Sequence, residues 1–308
     1  MPAARKQPSR CDHLVMNQAG RPGAGELREA LREQAGLDLA ALVPADGGES
    51  ATAFLATGWD GTVSVLKVSP GATSESLARV REVAARLRRR GYPAARVLAS
   101  GQVAGLTFWL QERLPGRVLL GQAPDWLLPE VLRLNDAQAG LGDGTSRLTG
   151  LLAETLTVGG DGFCLHATLE ARPDTRALLA VVRQVAARHL AALPEIGDYV
   201  HCDFTLANLL TDGAGITGVI DINPPPLTGD RAFDLATLLF YRYDRDPLRE
   251  RLRARALEIT GQRALDVYLA HMLLRQVDWS LRHHPGTPAL AHHLHLARLV
   301  ASDLTARM

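Results

Sequence analysis

The chain changes character at Leu114-Pro115-Gly116, and that change restricts the fold more than any other feature. Before it lie short strand-like runs. Residues 51–57 and 62–68 flank Gly58-Trp59-Asp60-Gly61, where an Asp-Gly turn between β-branched runs predicts a hairpin. Residues 96–99 and 106–112 predict two more strands. Between the strand pairs, residues 74–90 carry Leu77, Val80, Val83, Ala84 and Leu87 at helical spacing, with Ser74 as a cap and Gly91 as a stop. After Gly116 the spacing is mainly helical, over about 125–141, 173–193, 230–243, 247–260, 263–282 and 288–306. A single strand-loop-strand piece, 199–221, interrupts it. The reading is an α+β chain with a loose tail (1–24), a small antiparallel-sheet N-lobe (25–114) and a larger, mainly helical C-lobe (115–308). Leu114-Pro115-Gly116 is the hinge between the lobes.

Charge and composition exclude several functions. Formal net charge is +1, which argues against nucleic acid or a membrane surface as partner. No apolar run is long enough to span a bilayer, and the basic start lacks the apolar stretch of a signal peptide. Cys11, Cys164 and Cys202 are too scattered for a disulfide framework or a zinc site, so a reducing cytoplasm is expected. Lys6 and Lys67 are the only lysines among 34 basic residues. A lysine inside the apolar run Val63-Ser64-Val65-Leu66-Lys67-Val68 therefore needs a reason. A compact ammonium suits phosphate as a point charge, and Arg is not its equivalent there.

The chemistry concentrates between Val200 and Asp221. Residues 208–211 and 216–220 predict a hairpin around Asp212-Gly213-Ala214-Gly215. His201, Asp203 and Asn208 precede it and Asp221 follows it. Antiparallel pairing would let Asn208 and Asp221 offer oxygens to one hard cation, with Asp203 on the preceding loop. Mg²⁺ takes few protein oxygens when phosphates supply the rest, so the set suits phosphoryl transfer.

His-x-Asp-x-x-x-x-Asn, a downstream Ile220-Asp221, and Gly229-Asp230-x-x-x-Asp234-Leu235-Ala236 resemble the aminoglycoside phosphotransferase family, the small-molecule branch of the protein-kinase-like fold. The resemblance covers roughly residues 40–245. It implies a bilobal fold, ATP or GTP as phosphoryl donor, Mg²⁺, and a hydroxyl group of a small molecule as acceptor. It implies Asp203 as catalytic base, His201 as a brace of its loop, Asn208 and Asp221 as metal ligands, and Asp234 as the carboxylate that pins the loop. Lys67 resembles the lysine on the donor phosphates and Glu82 its helix partner, although Glu75, two turns earlier, shares that face. Gly47, Gly48 and Ser50 resemble the loop over the nucleotide, and Glu112, Arg113 and Leu114 the segment that meets the base.

Two positions depart from the family pattern. Cys202 stands where Gly is usual. Asp221-Ile222-Asn223 stands where an aromatic and then an acid are common. Residues 231–308 hold 12 Arg and no Lys against 8 Asp and Glu, which argues against a strongly cationic acceptor. The His-rich end (His283, His284, His292, His293, His295) reads as solvated surface or the rim of the acceptor site, and the Gly-rich stretch 141–173 as a shaper of specificity. The leading expectation is an O-phosphotransferase, monomer or homodimer, that modifies an antibiotic or a related metabolite. The alternatives are a nucleotide-binding pseudokinase and a kinase of a primary metabolite such as an amino alcohol or sugar.

Overall fold

A computed structural model describes residues 23–45, 53–119, 124–145, 147–244 and 248–308. Gly47, Gly48 and Ser50 lie outside the described residues, as does nearly all of the expected tail. The chain divides into two compact units. The first runs to Arg117 and also takes in Leu210–Pro226; the second holds Val118–Leu209 and Leu227–Met308. Against an expected lobe boundary at residue 114, the leading segment of the first unit ends at Arg117 and the later hairpin is grouped with the sheet.

In the first unit, β1 (Ala41–Pro44), β2 (Ala53–Thr57), β3 (Val63–Ser69), β4 (Val97–Val103) and β5 (Leu106–Glu112) form an antiparallel sheet in the order β1-β2-β3-β5-β4. Strand alternation gives this sheet two different faces. Phe54, Leu66, Phe108 and Leu110 pack with Leu27 and Leu31 of α1 (Ala24–Ala35) in one apolar core. Lys67 is paired with Trp109 in register, so the two share a face, and Trp109 packs against Leu77 of α2 (Ser74–Arg89). Thr73 caps α2, its hydroxyl accepting from the N–H of Ser76 at 3.0 Å. After the short β6 (Arg117–Val118), the hairpin of β8 (Leu209–Thr211) and β9 (Ile216–Val219) forms as expected. Gly116 closes against it at φ 103°, and a Cβ there would sit 2.4 Å from Thr217 Oγ1. Only glycine fits.

The second unit is helical around one small ladder. β7 (Asp198–Val200) pairs with β10 (Leu227–Gly229), which sets the start of the loop that carries His201 and Asp203 beside the start of α7 (Ala232–Phe240). The remaining helices are α3 (Leu127–Ala137), α4 (Leu148–Thr157), α5 (His166–Glu170), α6 (Pro173–His189), α8 (Leu248–His283) and α9 (Pro288–Ala306). Every residue of α7 is buried, and α8 is broken at Gly261, which has φ 76° and ψ 172°. Two helical stretches, as the periodicity predicts, therefore meet at that residue.

The stretch 141–173 is more ordered than its glycines suggest. Leu148, Leu152 and Leu156 recur every four residues and are buried, which makes α4 part of the core. His293 departs from the solvated reading. It is largely buried, and its Nδ1 lies 2.8 Å from Ser280 Oγ and 3.2 Å from Gln276 Nε2. Among the described residues, no helix is long and apolar enough to cross a membrane.

Candidate active site

The loop that carries His201 and Asp203 begins where β7 ends. Asp234, fully buried in the first turn of α7, accepts hydrogen bonds from the backbone N–H of His201 (2.8 Å), that of Cys202 (2.9 Å) and Gln138 Nε2 (2.7 Å). Burial raises its carboxyl above the usual range, while these donors pull the other way. Gln138 is itself held by Asn135, whose Nδ2 donates to Gln138 Oε1 at 2.9 Å and to the Arg231 carbonyl at 2.8 Å. His201 is buried, stands edge-on to Phe204, and its Nδ1 accepts from the N–H of Asp203 at 3.3 Å. That acceptor role places the ring proton on Nε2. Cys202 adopts φ 71°, the left-handed region in which glycine costs least, so the backbone keeps a conformation suited to the residue that the family usually has.

Asp203 follows with its side chain about one-third exposed. Asn208, at the end of a 3₁₀ turn, donates from Nδ2 to Asp203 Oδ2 at 2.9 Å and to the Asp203 carbonyl at 2.8 Å. Both partners are acceptors, so the amide nitrogen must face them. The Asn208 oxygen is thereby turned to the other side. The second carboxylate oxygen, Oδ1, accepts from Arg275 Nη2 at 2.9 Å, and Arg275 Nη1 donates to the Cys202 carbonyl at 2.6 Å.

The first unit holds a separate polar group. Lys67 is buried, and its Nζ lies 2.5 Å from Asp221 Oδ1 and 3.0 Å from Asn223 Oδ1. A buried ammonium needs such partners. The expected pair with Glu82 is not the one formed. Glu82 is exposed, because the apolar stripe of α2 turns Val80, Val83, Ala84 and Leu87 inward and leaves Glu82 on the outer side. Glu75 bonds to Arg79 instead, at 2.7 Å. Glu112 ends β5 with its carboxylate on the N–H and Nε of Arg96, and Arg113 is exposed.

The oxygens of Asp221 and Asn223 are of the kind that fits Mg²⁺, and the ammonium of Lys67 already draws them together around one positive charge. Among the described residues no trio of His, Cys, Asp or Glu forms a closed metal site, so a cation here would need oxygens from elsewhere. Sequence reasoning missed Arg275, Gln138 and Asn135, and it gave Asn223 no contact with Lys67. Arg275 left a signal, a lone cation within the apolar run 264–280.

A family model described as the phosphotransferase enzyme family matches residues 41–270. The chain belongs to this family. Membership makes it a phosphotransferase with a hydroxyl group as acceptor. Solved structures agree on the fold. A thermostable mutant of aminoglycoside phosphotransferase APH(4)-Ia, in ternary complex with ADP and hygromycin B, is similar with TM-score 0.66 at 21% identity, over 90% of this chain and 98% of that one. The GDP complex of aminoglycoside 2'-phosphotransferase-IIIa gives 0.57 at 12% identity, over 92% and 99%. A putative fructosamine-3-kinase from Haemophilus somnus 129PT gives 0.53 at 14%, over 89% and 96%. The phosphotransferase thus has the protein-kinase-like fold, with an antiparallel-sheet unit and a helical unit. No curated protein matches it.

Proposed function

We propose that this phosphotransferase moves the γ-phosphate of ATP or GTP to a hydroxyl of a small molecule, with Asp203 as general base. The observation that carries the reading is the Asp203 carboxylate. It is partly exposed, held by Asn208 and Arg275, and set on a loop pinned by the buried Asp234. Asp203 would orient the acceptor O–H and take its proton as the oxygen bonds to phosphorus and the bond to the β-phosphate oxygen breaks. Lys67 would leave Asp221 and Asn223 for the donor phosphates. Asn208 and Asp221 would hold Mg²⁺, with Asn223 beside them. A bound Mg²⁺ supplies charge neutralisation on the phosphates. His201 braces the loop. Glu112, Arg113 and Leu114 would present backbone groups to the nucleobase.

For the acceptor, the surplus of Arg over acids in residues 231–308, together with Arg275 on the base itself, favours a hydroxyl compound of low positive charge over a polycation. The three scattered cysteines, Cys11, Cys164 and Cys202, support a cytoplasmic setting. The test is a screen of Mg·ATP and Mg·GTP consumption against hygromycin B and other antibiotics, sugars and amino alcohols. The expected result is Mg²⁺-dependent release of nucleoside diphosphate that requires one class of hydroxyl compound. Nucleotide-dependent thermal stabilisation with no release for any acceptor would overturn the reading and leave a binding module.

A further inference from the structure

Arg275 sits where an arginine is expensive. It lies on α8 among Leu273, Leu274, Gln276, Val277 and Asp278, all buried, and its own side chain is only 15% exposed. A cation in such a place destabilises the fold unless its donors are matched. Here the planar fork spans two different acceptors. One nitrogen reaches the carbonyl of Cys202 and another the Oδ1 of Asp203. The fork therefore holds both the backbone just before Asp203 and the rotation of the Asp203 side chain. An ammonium is a point charge without the fork's separate, fixed nitrogens.

The helix that carries the fork is itself fixed on several sides. Tyr268 donates to Asp230 Oδ2 at 2.9 Å, His271 Nδ1 lies 3.1 Å from Thr155 Oγ1, and Arg282 Nη2 donates to the Gly162 carbonyl at 3.0 Å. The loop is thus gripped from two directions. Asp234 takes the N–H groups of His201 and Cys202, while Arg275 takes the Cys202 carbonyl and the Asp203 carboxylate. With Asn208 on Oδ2, each oxygen of Asp203 has one fixed donor and keeps lone-pair capacity for an acceptor hydroxyl.

We propose that Arg275 is a positioning residue for phosphoryl transfer, acting through Asp203 by fixing the direction in which its carboxylate meets the acceptor. This rests on the reading of Asp203 as the base. A misplacement of about 1 Å at such a group costs roughly 100-fold in rate.

The test uses the full chain and four variants: Arg275→Met, Arg275→Lys, Asp203→Asn, and Arg275→Met combined with Asp203→Asn. With the acceptor found by the screen, Arg275→Met is expected to lower kcat about 100-fold with the nucleotide KM within about twofold. Arg275→Lys, which also serves if the Met variant fails to fold, should recover part of the loss. On the Asp203→Asn background, Arg275→Met should remove nothing further. A normal kcat in Arg275→Met, or an equal loss on both backgrounds, overturns the proposal. Thermal melting of the same four proteins needs no acceptor. Melting losses that fail to add by more than about 2 °C support the clamp, and additive losses overturn it. If the wild type transfers phosphate to nothing while the melting losses couple, the reading of the enzyme fails and the clamp stands.

Discussion

The two units hold their functional groups in opposite ways. In the helical unit the loop that carries Asp203 is tied by Asp234, itself held by Gln138, and by Asn208 and Arg275. In the sheet unit Lys67 is tied, among the described residues, to Asp221 and Asn223, residues that would themselves serve the donor. A base would have to keep its direction through every turnover, and three of its supports, Asp234, Gln138 and Arg275, have no other part in the proposed transfer. A phosphate-binding lysine must exchange partners when the nucleotide arrives, so its ties are ones the nucleotide and its metal can replace. The difference teaches that rigidity in this protein is placed by role.

That contrast can be broken at either end. After loss of the base or of its Arg275 clamp, the next largest effect is expected at the donor side. Lys67→Arg should weaken binding of Mg·AMP-PNP roughly tenfold or more, because a wide planar fork cannot replace a point charge. Calorimetric titration checks this, and unaltered affinity would break the donor half of the comparison. Next comes Asp234→Asn. All three partners of Asp234 are donors, so an amide would point hydrogens at one of them. A loss of about 2–3 kcal/mol is expected in denaturant unfolding, since leaving a buried group unmatched costs that much. A variant as stable as the wild type would show the loop to be held without it.

The smallest effect is acid sensitivity, and it should act on the helical unit. Every described histidine lies there. Burial, with a smaller contribution from the charge of Arg275, depresses His271 to about 3; burial, with smaller contributions from His292 and His284, depresses His293 to about 4. An unfolded histidine titrates near 6.5. Between roughly pH 6.5 and 4 the unfolded chain therefore binds protons that the folded chain refuses, and stability falls as pH falls. Melting followed from pH 8 to pH 4 should be flat above about 7 and decline below it. His293→Gln should flatten part of that decline, and an unchanged slope would mean that His293 is not held neutral.

Much of this was readable beforehand, and each miss has a physical cause. The sheet, α2 and the later helices follow from apolar spacing, and the pairing of Asp234 with the loop follows from the motif. In the fold Glu82 lies beside the buried stripe rather than on it, and its expected pairing with Lys67 rests on resemblance alone. Helix α4 was hidden because its leucines are framed by glycines. Arg275 lies 72 residues from Asp203, and spacing along one helix carries no information about what packs on it. Asn223 looked like a departure from pattern; in the fold its oxygen faces Lys67.

The central claim is that Asp203 acts on the acceptor while the donor is held by other residues. Asp203→Asn tests it most directly, with phosphoryl transfer and AMP-PNP affinity measured on the same preparation. The account expects transfer to fall about 1,000-fold, the range for loss of a general base, with affinity within about twofold. Near-normal transfer by Asp203→Asn would contradict it.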